Sequence, residues 1–231
     1  MTSLAERLEI IRTRIDAAER QYQRPTGSVK LIVVSKTRPV NDVQLALQQG
    51  QSCFGESYVQ EAVEKITALA GETIEWHFIG PIQSNKTRVI TEHFDWVQSV
   101  DRLKIAQRLQ AQRPAHLPPL NICLQVNISK DPAKAGVAPE ALPELARAIA
   151  PLERLKLRGL MAIPSRSSQF EQQRRPFHDL RNCLEDLQGQ GFALDTLSMG
   201  MSNDMEAAIA EGATMVRIGT DIFGPRPQRP K

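Results

Sequence analysis

The apolar positions Leu4, Leu8, Ile11, Ile15 and Ala18 recur at helical spacing and predict one leading amphipathic helix that closes near Pro25-Thr26-Gly27. The pattern then changes. Leu31-Ile32-Val33-Val34 is a run of branched apolar residues, read as a strand over 31–36 that is buried on both faces. A helical stripe follows at Val43, Ala46 and Leu47, with Asn41 as its expected cap and Gly50 at its end. The same beat repeats along the chain. Further strands are expected at 53–56, 75–80, 96–100, 121–127, 155–163, 196–199 and 215–219, all but the last followed by a helical stripe. Asp101 and Ser202 are the expected caps of the helices after the fourth and seventh strands. Eight strands alternating with helices predict an α/β fold, a closed (β/α)8 or TIM barrel with an extra N-terminal helix, over an open doubly wound sheet. The barrel takes residues 1–224 as a single domain, and the Pro/Arg-rich residues 225–231 are expected to form a flexible tail.

Composition narrows the class without selecting a chemistry. A chain of 231 residues with 41% hydrophobic and 24% charged residues matches one soluble globular domain. The net charge of +3 is mild and sits partly in the tail, so no nucleic-acid partner is implied. No apolar stretch reaches membrane-spanning length, and Glu6 and Glu9 interrupt any leader-like N-terminus. Cys53, Cys123 and Cys183 are odd in number and scattered, which suits reduced thiols and a cytoplasmic location, and their spacing offers no metal motif. A closed barrel leaves no sheet edge to cover, so a monomer is expected.

In such a barrel the C-terminal ends of all strands share one mouth, and Lys36 ends the first of them. A free lysine has a pKa near ~10.4, so only about one amine in ~2,500 is neutral at pH 7. Lowering the pKa to roughly 7.5 raises the neutral share to about a quarter, as condensation with an aldehyde requires. The structural alternative is a lysine that caps the strand and reaches outward. Gly200-Met201-Ser202-Asn203-Asp204 and Gly219-Thr220-Asp221 follow the last two strands, where barrels frequently hold phosphate. Arg217 interrupts the apolar eighth strand on the face opposite Val216 and Ile218. It either pairs with a carboxylate or faces the ring nitrogen of a pyridine cofactor.

An amine, a phosphate cup and a cation for a ring nitrogen together describe pyridoxal 5'-phosphate (PLP). The chain resembles the pyridoxal phosphate homeostasis protein family, single-barrel relatives of the alanine racemase N-terminal domain. The blocks that carry the likeness span nearly the whole chain: Val34-Ser35-Lys36-Thr37, Phe54-Gly55-Glu56, Trp76-His77-Phe78-Ile79-Gly80-Pro81, Gly159-Leu160-Met161-Ala162-Ile163, and Leu197-Ser198-Met199-Gly200-Met201-Ser202 with Val216-Arg217-Ile218-Gly219-Thr220. The resemblance implies Lys36 as the Schiff-base residue, Ser202, Gly219 and Thr220 as phosphate contacts, and Arg217 as the partner of the pyridine nitrogen. Ser57 stands where the family usually has asparagine, and His77 either faces the ring or is a hydrogen-bonded core histidine.

The resemblance further implies a carrier that buffers PLP or delivers it to PLP-dependent apoenzymes, with no catalytic turnover. A PLP-dependent amino-acid racemase of the alanine racemase type is the alternative, with Lys36 as one base and Tyr58 or His77 as the other. Against it, the only tyrosines are Tyr22 and Tyr58, and an arginine at the ring nitrogen weakens the electron sink. A third reading is a sugar-phosphate barrel in which Lys36 acts on a ketone.

Overall fold

In the computed structural model, which describes residues 2–225, all eight apolar runs form short parallel strands, because each is buried on both faces and only a ring of helices can cover the outer one. The order is α1 (Leu4–Gln21), β1 (Lys30–Val34), α2 (Val40–Gln48), β2 (Cys53–Glu56), α3 (Val59–Ala68), β3 (Glu75–Phe78), α4 (Thr87–His93), β4 (Trp96–Val100), α5 (Leu103–Gln112), β5 (Leu120–Gln125), α6 (Leu142–Ile149), β6 (Leu155–Met161), α7 (Phe170–Gly189), β7 (Thr196–Ser198), α8 (Met205–Ala210), β8 (Met215–Ile218) and α9 (Thr220–Phe223). The strands pair in chain order, and β1 closes on β8 with Lys30 opposite Met215 and Ile32 opposite Arg217. The expected closed barrel is the observed fold. Of the tail, all but Pro225 lies outside the described residues. No helix among the described residues is long and apolar enough to cross a membrane.

Alternation along the strands separates two cores. Outward residues such as Val33, Phe54, Val97, Leu124, Val216 and Ile218 pack under the helices. Inward residues Ile32, Trp96, Cys123, Met161 and Met215 fill the barrel itself. The leading helix has a specific place in this plan. Ser3 and Glu6 form a capping box at its start, and its buried face packs against α2, α8 and α9. The helix after β8, α9, is a single turn, so α1 covers the stretch that a longer α9 would otherwise shield. Arg14 ties α1 to Glu206 and Asp221 at 2.8 and 3.0 Å.

Three expected caps are corrected. The N-cap of α2 is Pro39, which leaves Asn41 inside the helix; that of α5 is Arg102, one residue past Asp101. The N-cap of α8 is Asp204, and Ser202 lies in the turn before it. None of these three N-cap residues makes a side-chain cap hydrogen bond. Packing on the barrel, more than cap chemistry, sets where these helices begin.

Candidate functional site at the barrel mouth

A cavity of about 680 Å³ opens at the C-terminal ends of the strands. Lys36, Ser202, Arg217, Gly219 and Thr220, drawn from three strand–helix junctions, all line it. Val34, Ile79 and Ile163 supply apolar wall, and Arg38, Arg166 and Asn203 sit toward the rim. A short apolar wall set against many convergent polar and cationic side chains suits a small anionic ligand.

Lys36 lies just past β1, half-buried, with Nζ donating to Ser57 Oγ at 3.2 Å. Ser57 is brought there by a close approach. A Cβ on Gly80 would collide with the Ser57 backbone, so only glycine lets the β3 loop press against it. The segment bearing Lys36 is held from behind by a buried ionic knot. Lys65 Nζ donates to Ser35 O and Glu56 Oε1 at 2.7 Å and to Glu61 Oε1 at 2.6 Å, while Ser35 Oγ donates to Glu56 Oε1 at 2.7 Å. Burial pushes the Glu56 carboxyl above its ordinary range, and the adjacent Lys65 ammonium opposes this. Glu61 also accepts from the backbone N–H of Thr37, whose φ of 64° is left-handed, a costly conformation for a β-branched residue. The turn that aims Lys36 is therefore strained and clamped.

The opposite side of the cavity is built from backbone. Gly200 has φ 93°, and an added Cβ would lie 2.6 Å from Ala208 Cβ, so the turn into α8 requires glycine. Asp204 fixes this turn by accepting from Met201 N at 2.6 Å, and burial pushes its carboxyl upward. Gly219 is the N-cap of α9, and the first N–H groups of a helix have no intrahelical acceptor.

Arg217 forms the floor. Alternation points it inward, as expected, and it is only 4% exposed. Its hydrogen bonds go to Ser198 Oγ at 2.7 Å and Ala162 O at 2.8 Å, both neutral acceptors, so the expected alternative of a carboxylate pair is not what holds it. Burial lowers its pKa to about 10, with Asp204 opposing, and it is a cation at neutral pH.

Ser57 stands beside Lys36. His77 does not line the cavity: it is fully buried, stacked on Trp96 with ring centroids 5.4 Å apart, and hydrogen-bonded to Glu75 Oε1 at 2.7 Å and Gln98 Nε2 at 2.9 Å. That is the core-histidine alternative, one layer below the mouth. Sequence reasoning missed Arg38, Arg166 and the knot around Lys65. Arg38 carries no periodic signal, and Lys65 reads as a solvated helical lysine.

Residues 7–227 match the family model described as alanine racemase, N-terminal domain. The pyridoxal phosphate homeostasis protein of Pseudomonas aeruginosa is 55% identical over 226 residues, covering 98% of this chain and 97% of the relative. The protein of the same name from Escherichia coli is 49% identical over 229 residues, covering 98% of each. Among solved structures, PipY of Synechococcus elongatus with PLP bound superposes with a TM-score of 0.85 at 37% identity, over 96% of this chain and 100% of that one.

Proposed function

We propose a function for a chain that belongs to the pyridoxal phosphate homeostasis protein family, whose barrel is the alanine racemase N-terminal domain: it binds PLP at the barrel mouth and buffers or delivers it without turnover of its own. The observation that carries this reading is the convergence of Lys36, Arg217 and the Gly200 and Gly219 turns on one cavity. The residues present fit the cofactor. Arg217 is a buried cation with two hydrogen bonds to neutral acceptors, and its five-donor fork has N–H groups left for an acceptor in the cavity. The walls at Val34, Ile79 and Ile163 suit a flat ring.

When bound, PLP supplies an aldehyde that condenses with a neutral amine. We assign that amine, and so the Schiff base, to Lys36 Nζ, which the clamped Ser35-Lys36-Thr37 turn aims and Ser57 Oγ orients. Ser202, Gly219 and Thr220 hold the phosphate through a hydroxyl pair and backbone N–H groups. Arg217 keeps the ring nitrogen unprotonated, which weakens carbanion stabilisation and favours storage over turnover. Tyr58, the candidate second base of a racemase, is 45% exposed at the N-cap of α3 and outside the cavity lining. The open rim lets the cofactor leave toward PLP-dependent apoenzymes, the closed barrel suits a monomer, and the free thiols of Cys53, Cys123 and Cys183 suit a cytoplasmic location.

The test is an absorbance spectrum of wild type beside Lys36→Ala, with borohydride trapping and peptide mass spectrometry. Wild type shows a yellow band that borohydride bleaches, with the adduct on the peptide containing Lys36. Lys36→Ala shows neither while keeping the wild-type circular dichroism. An adduct elsewhere, or none in wild type, overturns the assignment, and α-hydrogen exchange of L-alanine that depends on Lys36 overturns the carrier reading.

A further inference from the structure

The end of the barrel opposite the mouth carries a second polar cluster that the cofactor reading does not use. Parallel pairing of β2 and β3 sets Cys53 opposite Glu75 and Gly55 opposite His77. Cys53 Sγ lies 3.6 Å from Glu75 Oε1, which lies 2.7 Å from His77 Nε2, and the three ligand atoms are all within 4.8 Å of one another. Residues 53, 75 and 77 form no spacing motif, so the register of the barrel alone assembles them.

We propose that Cys53, Glu75 and His77 form a three-ligand site for a divalent transition ion of the zinc class at the base of the barrel, with a fourth position open to water. The donor set mixes sulfur, nitrogen and oxygen, which selects borderline-soft ions over magnesium or calcium. Tetrahedral zinc with bonds of about 2.0 to 2.3 Å needs its ligand atoms roughly 3.3 to 3.7 Å apart. The Cys53–Glu75 separation already meets that, and the Glu75–His77 contact opens by about 0.7 Å on the same scale. The outer partner of the histidine is also in place. Gln98 bonds Nδ1 at 2.9 Å while its Oε1 accepts from Ser198 Oγ at 2.6 Å, so the ring has an amide partner that serves the other tautomer by turning over, its Nε2 then donating to Ser198 Oγ. Glu75 is about one-third exposed, which gives the ion an entry path.

Binding balances as a proton exchange. The Cys53 thiol releases its proton to solvent as the sulfur–metal bond forms, while the His77 proton passes from Nε2 to Nδ1, where Gln98 turns its amide to accept it. Lys30 Nζ, 2.9 Å from Glu75 Oε1 and 42% exposed, is the competing cation that the ion displaces. It swings into solvent without leaving a buried charge behind.

The experiment titrates the full chain, metal-free and reduced, with zinc by calorimetry and with cobalt by absorbance. One equivalent of cobalt is expected to give the near-ultraviolet charge-transfer band of a thiolate ligand. Cys53→Ser is expected to abolish that band and to weaken zinc binding by more than the roughly 10- to 100-fold typical of losing an outer-shell partner, and Glu75→Gln to weaken it similarly. Cys183→Ser is expected to change nothing, and Lys30→Ala to tighten zinc binding several-fold. Each variant is compared by apo melting temperature, so that loss of fold is separated from loss of a ligand. PLP binding by Cys53→Ser is expected to match wild type, which keeps this test independent of the mouth. No one-to-one binding, a cobalt band that survives in Cys53→Ser, or Lys30→Ala leaving affinity unchanged would each overturn the site.

Discussion

The two sides of the mouth are built on different physics. On the β1–β2 side a single amine is aimed by charge: Lys65, Glu56 and Glu61 lock the Ser35-Lys36-Thr37 turn from below. On the β7–β8 side the cavity is shaped by glycine turns and helix starts that place backbone N–H groups and the hydroxyls of Ser202 and Thr220. An amine that must react needs one orientation and a controlled proton, which a rigid ionic support provides. A phosphate accepts hydrogen bonds from many directions, so backbone suffices. The comparison implies that damage to the first side is large and structural, whereas damage to the second is smaller and local.

The sharpest break is Lys65→Met. Lys65 and Glu56 are almost fully buried, and removing the ammonium strands a carboxylate, Oε2 of which already lacks a hydrogen-bond partner. Breaking a buried pair in this way costs about 3–5 kcal/mol. Urea unfolding should show that loss, and the covalent adduct at Lys36 should form more slowly as the Thr37 turn relaxes. Adding Glu56→Gln to Lys65→Met removes the stranded charge and should restore a large part of the stability. A double variant as unstable as the single one would mean that the knot stabilises by packing and not by charge.

Gly200→Ala tests the other side. The left-handed φ and the contact with Ala208 together predict a loss of about 1–3 kcal/mol, confined to the turn into α8. Phosphate affinity should fall about tenfold, equivalent to ~1.4 kcal/mol. Borohydride trapping of a phosphate-free aldehyde at Lys36 should be unchanged, because the amine has its own support. Equal loss of both functions would show that the two sides are one mechanical unit.

These contrasts explain what was legible in the sequence. The strands β2 and β4 occur at the residues expected, because each is a short stretch confined between two helical stripes. The cavity residues were legible wherever chemistry interrupts pattern: Lys36 after β1, Arg217 inside β8, and glycines after β7 and β8. The knot was not. Lys65 lies at helical spacing from Glu61 and looks like a solvated pair; only closure of β1 against β2 puts Ser35 and Glu56 over it. Cap positions failed for a related reason, since Asn41, Asp101 and Ser202 are good local caps overruled by where each helix docks. His77 shows the same ambiguity, for an inward histidine can belong to the mouth or to the layer beneath, and only depth decides.

The smallest effect gives the finest reading of the phosphate side. Asp204 lines the cavity, yet its carboxylate opposes any anion held there. Asp204→Asn keeps the oxygen that accepts from Met201 N and removes only the charge. At pH 8 phosphate affinity should rise about 1.5- to 5-fold, the equivalent of ~0.2–1 kcal/mol for a partly solvated charge pair. The sign with pH follows from burial, which places the folded carboxyl above its ordinary pKa. Below the unfolded value Asp204 is protonated in both states and matches asparagine. As pH rises through the folded value, wild type ionises, loses stability relative to the variant and begins to repel the anion. Phosphate's own titration is common to both proteins, so the ratio of affinities isolates the carboxylate. A ratio that stays constant from acid to pH 8 would mean that Asp204 serves the turn alone, and that the backbone side of the mouth discriminates by shape with no electrostatic part.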